Sequence, residues 1–152
     1  MKVTYKQIDQ SDTSVVVYAR AQTDSVTNLI GYIADYNEGD NQIVIHENGR
    51  MSIIQIAEII TVEVQNKDLT ITTTSNIFHV RGALSKMMEK LTQPSFALVS
   101  QSATINLRYL DSLVASFSGT MTAHLKNGQQ VAVSRRFVPL LRQRIKTLQS
   151  QK

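Results

Sequence analysis

The chain has 152 residues, 42% of them hydrophobic, with no cysteine and a formal net charge of +4. That length fits one domain, or one domain with a small appended piece, and it suffices for a hydrophobic core. The absence of cysteine excludes a disulfide-stapled scaffold, a cysteine zinc site and a thiol nucleophile. No apolar stretch is long enough to span a bilayer and no signal-peptide run opens the sequence, so we expect a cytoplasmic protein.

The composition favours strands, because 42 of the 152 residues are Val, Ile or Thr. These β-branched side chains are stiff at χ1 and fit the pleated, half-buried surface of a sheet.

The charge is divided unevenly along the chain. Residues 1–65 carry four cations and nine acids, a balance of −5, whereas residues 66–152 carry twelve cations and three acids, a balance of +9. A basic half of this strength favours a polyanionic partner, nucleic acid before a membrane surface. The alternative is a basic surface with no partner.

The N-terminal segment predicts two strands followed by a helix. Residues 2–8 and 15–19 have the alternation and β-branched content of strands. Thr23 has the position of a helix N-cap, and the helix is expected to end near residue 36. Its apolar residues recur at helical spacing: Val26, Leu29, Ile30 and Ile33.

Residues 37–41 contain no apolar side chain, which is typical of a loop between units. We therefore divide the chain into an N-terminal strand-strand-helix extension, residues 1–41, and a second domain, residues 42–152.

The second domain predicts a series of short strands joined by turns. Asn48-Gly49 and Asn127-Gly128 are expected to form two-residue hairpin turns, because both residue types accept the positive φ of a type I′ turn. A polar turn over residues 66–68 joins another pair of strands. The predicted strands cover residues 42–47, 50–55, 58–65, 69–74, 76–80, 97–99, 107–117, 119–125 and 129–133.

Two helices are predicted in the second domain. The first covers residues 80–91 and ends before Pro94, with Leu84, Met88 and Leu91 facing the core. The second begins near Phe137 and runs towards the C-terminus.

Enzyme signatures are absent from the sequence. There is no glycine-rich phosphate loop, no Gly-x-Ser-x-Gly elbow and no His-Glu-x-x-His zinc helix. The three histidines, His46, His79 and His124, are scattered along the sequence and form no metal-ligand pattern. We therefore expect no catalytic residues, no metal, no cofactor and no small-molecule substrate; an enzyme with a site assembled only in space is the weakest alternative.

Two strings in the second half of the chain carry a resemblance to a known family. One reads Phe96-x-x-Val99-x-x-Ser102-x-x-Ile105-Asn106-Leu107, and the other reads Val131-x-Val133-Ser134-Arg135-Arg136-Phe137. Together with the hairpins and the Met/Leu-rich helix, this order resembles the LytTR-type DNA-binding domain, the output module of many bacterial response regulators. Because the N-terminal segment lacks a phospho-acceptor receiver pattern, the chain is similar to the stand-alone LytTR transcriptional regulators.

The resemblance implies a β-dominated α+β fold. The expected architecture is an elongated assembly of small antiparallel β-sheets with an N-terminal β-β-α extension and a C-terminal helix. It also implies transcription regulation by loops that enter the major groove of double-stranded DNA. The implied partners are the DNA itself, bound by two copies on repeated half-sites, and an inhibitor in the form of a small membrane protein.

The resemblance also implies a set of DNA-binding residues. In the second string Ser134 is expected to cap the C-terminal helix, so that one arginine reads a base and the other holds a phosphate; we assign the base to Arg136. We assign Asn106 to the core, where it would bond backbone groups. The predicted DNA-binding residues are Arg136, Arg135, Gln101, Ser100, Ser102 and Lys67.

The first string departs from the family pattern at three positions. It carries Leu98, Ser100 and Gln101 where the family favours Arg, His and Arg. This departure favours the alternative function, a non-DNA protein-interaction module on the same scaffold.

Overall fold

The computed structural model describes residues 1–4, 15–34 and 41–150. The chain folds into two compact units, residues 1–36 and 37–152.

The first unit contains the predicted helix but not the strand before it. Helix α1 covers Asp24–Ala34, and Thr23 Oγ1 accepts a hydrogen bond from the Val26 N–H at 3.3 Å, which is the predicted N-cap. The strand predicted over residues 15–19 is wrong: this segment pairs with no strand among the described residues, and Val16 is 66% exposed. Strand propensity alone does not order a segment that has no neighbour to pair with. Of the strand predicted at residues 2–8, residues 2–4 are not in a strand and the others lie outside the described residues.

The described residues of the second unit form three antiparallel sheets and two α-helices. Its strands are β1 Gln42–Glu47, β2 Arg50–Gln55, β3 Ile59–Gln65, β4 Asp68–Thr73, β5 Ile77–Arg81, β6 Phe96–Ser100, β7 Ala103–Asn106, β8 Leu110–Ala115, β9 Met121–Leu125 and β10 Gln130–Val133, and its helices are α2 Leu84–Lys90 and α3 Val138–Ser150. The central sheet has the order β5-β4-β3-β7-β6, beside a β1-β2 hairpin and a β8-β9-β10 sheet. The strand-rich fold with a C-terminal helix confirms the predicted fold class.

The central sheet carries a hydrophobic core on each face. In β6, Phe96 belongs to one core and Ala97 and Val99 to the other, because successive side chains of a strand point to opposite faces. The first core includes the β1-β2 hairpin and α2, and the second includes β9, β10 and α3. The buried residues of α2 and its C-cap are Leu84, Met87 and Leu91, with Met88 half-buried. This confirms the predicted apolar face of that helix.

The two Asn-Gly turns have different geometries. Asn48-Gly49 is the predicted type I′ turn, with φ of 50° and 76°. In the second turn only Gly128 has a positive φ, 91°; its N–H donates to the Leu125 carbonyl, and the Leu125 N–H donates to the Gln129 carbonyl, both at 2.9 Å. This is a three-residue loop closed by a glycine bulge, so the predicted two-residue turn is wrong. The Asn127 side chain accepts from the Gln129 N–H at 3.1 Å, which favours this arrangement.

Three predicted boundaries also differ from the structure. Asp68 is the first residue of β4 and not part of the preceding turn. Helix α2 begins only at Leu84, because Val80 is paired within β5. The long strand predicted over residues 107–117 is shorter: it begins at Leu110, after a 3-10 turn at Leu107–Tyr109, and ends at Ala115. The strand before that turn, β7, was not predicted. The Asn106 side chain accepts a hydrogen bond from the Arg108 N–H and so ends β7 before that turn.

Candidate nucleic-acid interface

The predicted site residues lie in connections at one end of the central sheet. The Val64 N–H, near the end of β3, donates to the Ser102 carbonyl in the β6–β7 turn at 2.8 Å. The Ser134 N–H, just after β10, donates to the Val99 carbonyl near the end of β6, also at 2.8 Å. These bonds link loops that are separated by up to about 70 residues of sequence, as expected when antiparallel strands end at the same edge.

We call this region the loop end. It comprises Arg81 at the end of β5 and four connections: Asn66-Lys67, Ser100–Ser102, Phe117–Gly119 and Ser134–Phe137. The turns after β3 and β6 are two strand spacings apart in the sheet order, which corresponds to roughly 10 Å. A B-DNA major groove is about 12 Å wide, so the loop end has the width needed to lie along one groove.

Lys67 occupies a strained position at the tip of the β3–β4 turn. Asn66 and Lys67 have φ of 51° and 67°, the left-handed region in which glycine and asparagine are common and lysine is not. The Lys67 carbonyl is held by the Gly82 N–H at 2.8 Å, while its side chain is exposed. The turn therefore displays a cation at a position where glycine would be less strained.

The β6–β7 turn uses its serines partly to hold its own shape. Ser100 Oγ accepts from the Ser102 N–H at 3.2 Å, and the two hydroxyl oxygens are 3.3 Å apart. Gln101 lies between them and is exposed. Among the described residues its side-chain amide has no hydrogen-bond partner. Gln101 is thus the member of this turn whose donor and acceptor are available to a base edge or a phosphate.

The two arginines of the second string have different surroundings. Arg135 and Arg136 lie in a 3-10 turn that leads directly into α3. Arg135 Nε donates to the Ser118 carbonyl at 2.7 Å. The guanidinium of Arg136 is exposed and has no hydrogen-bond partner within the described part of the chain. Arg135 therefore holds the β8–β9 connection in place, while the donors of Arg136 make no hydrogen bond within the described residues.

The predicted cap by Ser134 is wrong in its detail. Ser134 occupies the N-cap position with extended backbone, but its hydroxyl makes no capping bond. The Phe137 N–H is instead bonded to the Ser134 carbonyl at 2.8 Å. A tight 3-10 turn thus satisfies the helix start by backbone alone.

Two features of the loop end were not predicted from the sequence. Arg81, the last residue of β5, is exposed and lies opposite Asp68 in the strand register. The Phe117–Gly119 connection reaches the loop end through its bond to Arg135. Arg81 is placed there by strand pairing, and the Phe117–Gly119 connection by a side-chain hydrogen bond. The only signal for Arg81 in the sequence is its position between a predicted strand and Gly82.

The loop end carries more cations than acids. Its cations are Lys67, Arg81, Arg135 and Arg136, and in the described residues none of the four forms an ion pair. Two acids lie at the same end: Asp68, the first residue of β4, and Glu63, which is paired with Ala103 next to the β6–β7 turn. Unpaired cations on adjacent loops produce a positive potential that attracts a polyanion.

Asn106 has the structural role that the sequence predicted. It is 1% exposed. Its Nδ2 donates to the Ile59 carbonyl at 2.9 Å and its Oδ1 accepts from the Arg108 N–H at 3.1 Å. The side chain therefore joins β3, β7 and the following turn, and it takes no part in the loop end.

Two other kinds of feature are missing from the part of the chain that the structure describes. Within those ranges, no group of three or more His, Cys, Asp or Glu side chains is arranged to hold a metal ion. No helix in the same ranges combines the length and apolar character needed to cross a membrane.

The strand-rich fold with a C-terminal helix defines the class of domain to which the second unit belongs. Residues 49–146 match the family model described as the LytTr DNA-binding domain. The chain therefore belongs to the LytTR DNA-binding domain family.

Relatives and a solved structure agree with this assignment. The chain is similar to an uncharacterized HTH-type transcriptional regulator of Staphylococcus aureus strain MRSA252, at 24% identity over 90% of this chain and 92% of the relative. A regulator of the same description from strain MSSA476 is also 24% identical, over 90% of this chain and 91% of the relative. The fold resembles a LytTr DNA-binding domain from a Bacillus cereus protein described as a methyl-accepting/DNA response regulator. That match has a TM-score of 0.63 at 14% identity and covers 69% of this chain and 96% of that domain.

Proposed function

We propose that this protein is a cytoplasmic transcriptional regulator that binds double-stranded DNA through the loop end, with its connections entering the major groove. One observation carries the proposal: Lys67, Gln101 and Arg136 lie on separate loops that backbone hydrogen bonds bring to one end of the sheet. In the described part of the chain every α-helix is separated from the next by strands. This supports recognition by loops and not by a helix-turn-helix.

The side chains at the loop end divide into two chemical roles. Arg136 and Gln101 can each form two parallel hydrogen bonds, to the O6 and N7 of guanine or the N6 and N7 of adenine. Lys67 and Arg81 are suited to phosphates, which fix the protein on the duplex without reading sequence. Arg135 still has its Nη groups for a phosphate after its Nε bonds Ser118. Two copies on repeated half-sites and a small membrane-protein inhibitor stay predictions from the resemblance.

The first test concerns the charge of Lys67. Duplex binding should weaken steeply with salt, because each phosphate contact releases counterions, and Lys67→Ala should reduce the slope of log affinity against log salt by about one. The matched control is Lys126→Ala. Lys126 is also exposed in a hairpin loop, but this loop joins β9 to β10 at the end of the three-stranded sheet opposite to the β8–β9 connection. Fluorescence anisotropy of a labelled duplex, titrated at several salt concentrations, measures both slopes.

A second substitution at the same position separates charge from backbone strain. Lys67→Gly should lose DNA affinity as Lys67→Ala does, yet raise the free energy of unfolding by about 1 kcal/mol because glycine tolerates the left-handed backbone. If affinity were independent of salt, or if Lys126→Ala lowered the slope and Lys67→Ala did not, the proposed interface would be wrong. The first of these results would favour a protein-interaction module instead.

A further inference from the structure

The β8–β9 connection displays an aromatic side chain that has no part in the polar contacts proposed above. Phe117 is 97% exposed. A single exposed apolar residue is common in soluble proteins, so exposure alone assigns no role. The inference depends on two further observations: the hydrogen bonds that fix the shape of this loop, and the contact of the loop with Arg135.

Hydrogen bonds fix the shape of the connection. The Ser116 N–H donates to the Thr120 carbonyl at 2.9 Å, and Thr120 Oγ1 donates to the Phe117 carbonyl at 3.0 Å. Ser118 and Gly119 follow with φ of 68° and 77°, both left-handed. A non-glycine residue in this region is strained, and such strain persists only where the surroundings impose it. The Phe117 ring therefore projects from a loop whose backbone conformation is fixed by hydrogen bonds.

The connection is joined to the arginine pair. Arg135 Nε bonds the Ser118 carbonyl at 2.7 Å. The same side chain lies so close to Gly119 that a Cβ there would be 3.2 Å from Nε and 3.6 Å from Cγ. Phe117 is thus presented by a loop that packs on Arg135, the residue next to Arg136. Because Arg135 bonds this connection, a duplex that contacts the arginine pair would reach the loop that carries Phe117.

We infer that Phe117 is a base-contacting residue that packs on thymine methyl groups in the major groove, an inference that rests on the proposed function. The thymine C5-methyl is the apolar feature of that groove, and apolar side chains that contact it discriminate thymine from other bases. An aromatic ring beside an arginine gives the loop end both an apolar and a hydrogen-bonding reader. Phe117 is therefore a determinant of sequence preference, additional to the polar residues.

Replacing thymine with deoxyuridine tests the contact by removing only the methyl group. The full chain is titrated with a duplex selected from a random pool, and with the same duplex synthesised with deoxyuridine for thymine. Wild-type protein should bind the thymine duplex more tightly by about fourfold for one buried methyl group. Phe117→Ala should bind both duplexes equally, with about fourfold lower affinity for the thymine duplex, while Phe117→Leu should keep part of the preference.

Two further variants control for the loop and for the fold. Gly119→Ala should displace Arg135 and the loop together, and so should abolish the thymine preference while Phe117 is still present. Phe117→Ala should melt at the wild-type temperature, because the ring is not part of a core.

The outcomes separate this inference from the proposed function. If wild-type protein binds duplex DNA but does not prefer thymine, or if Phe117→Ala keeps the wild-type preference, the role of Phe117 is overturned and the DNA-binding function stands. If wild-type protein binds no duplex, both are overturned.

Discussion

Replacing Arg136 with alanine is expected to reduce affinity for the preferred duplex by about 1–3 kcal/mol and to flatten discrimination between sites. The guanidinium is exposed at the loop end, and among the described residues it has no partner whose loss would disturb the fold. Arginine binds guanine O6 and N7 through two parallel hydrogen bonds, and alanine can form neither of them. Titrations on the selected duplex and on a scrambled one, each at two salt concentrations, measure the effect.

Two variants give this measurement its controls. Arg135→Ala should lower the salt slope by about one, as for a phosphate contact, and should also lose the thymine preference, because it releases the connection that carries Phe117. Arg108→Ala should change neither the affinity for the two duplexes nor the salt slope. Arg108 is exposed, but it follows the last residue of β7, and this end of the strand lies away from the loop end. Wild-type binding by the Arg136→Ala and Arg135→Ala variants on both duplexes would mean that the pair is structural.

The second large effect concerns stability. Asn106→Ala should lower the free energy of unfolding by about 2–4 kcal/mol, because it leaves the buried Ile59 carbonyl and the partly buried Arg108 N–H without partners. Asn127→Ala is a matched control: Asn127 also makes two hydrogen bonds through its amide, but it is exposed in a turn. There water replaces the lost partners, so its effect should stay below about 1 kcal/mol.

Denaturant unfolding of both variants, followed by circular dichroism, measures the difference. Equal losses for Asn106→Ala and Asn127→Ala would contradict the assignment of Asn106 to the core. DNA binding by folded Asn106→Ala should match that of the wild type, because Asn106 lies away from the loop end.

Local sequence patterns decide some features of this fold and leave others open. Most strands and both helices of the second unit follow from alternation and helical spacing, because burial of one face imposes both. The exception is β7, Ala103–Asn106, which was not predicted: its four residues are all buried, so the strand has no alternation. The turns are less determined: Asn48-Gly49 and Asn127-Gly128 share a dipeptide yet form different loops. The Asn127 side chain bonds the backbone N–H of Gln129, and a dipeptide pattern does not include that contact.

The N-terminal strand prediction was wrong for a different reason. Residues 15–19 have strand propensity, but a strand is formed by pairing, and this segment has no partner in the described structure. The strand propensity of a residue describes how well its side chain fits a sheet, but it does not provide a neighbouring strand to pair with.

The site was partly predictable. The string around Arg135 and Arg136 and the two turns could be singled out, because their residue types suit phosphates and base edges. Arg81 and Phe117 could not, since their positions depend on the pairing of β4 with β5 and on a bond from Arg135 to Ser118. Non-local hydrogen bonds of this kind have no signature in the sequence.

A nuclear magnetic resonance titration of the isotope-labelled protein with duplex DNA tests the central claim most directly, because it identifies the contacting surface whatever the sequence of the duplex. We expect the largest backbone amide shifts at Lys67, Gln101, Ser118 and Arg136, which belong to the four connections of the loop end. The amides of residues 126–128, at the opposite end of the sheet, should not move. Shifts confined to residues 126–128, with those four amides unchanged, would contradict the assignment of the loop end as the DNA-binding surface.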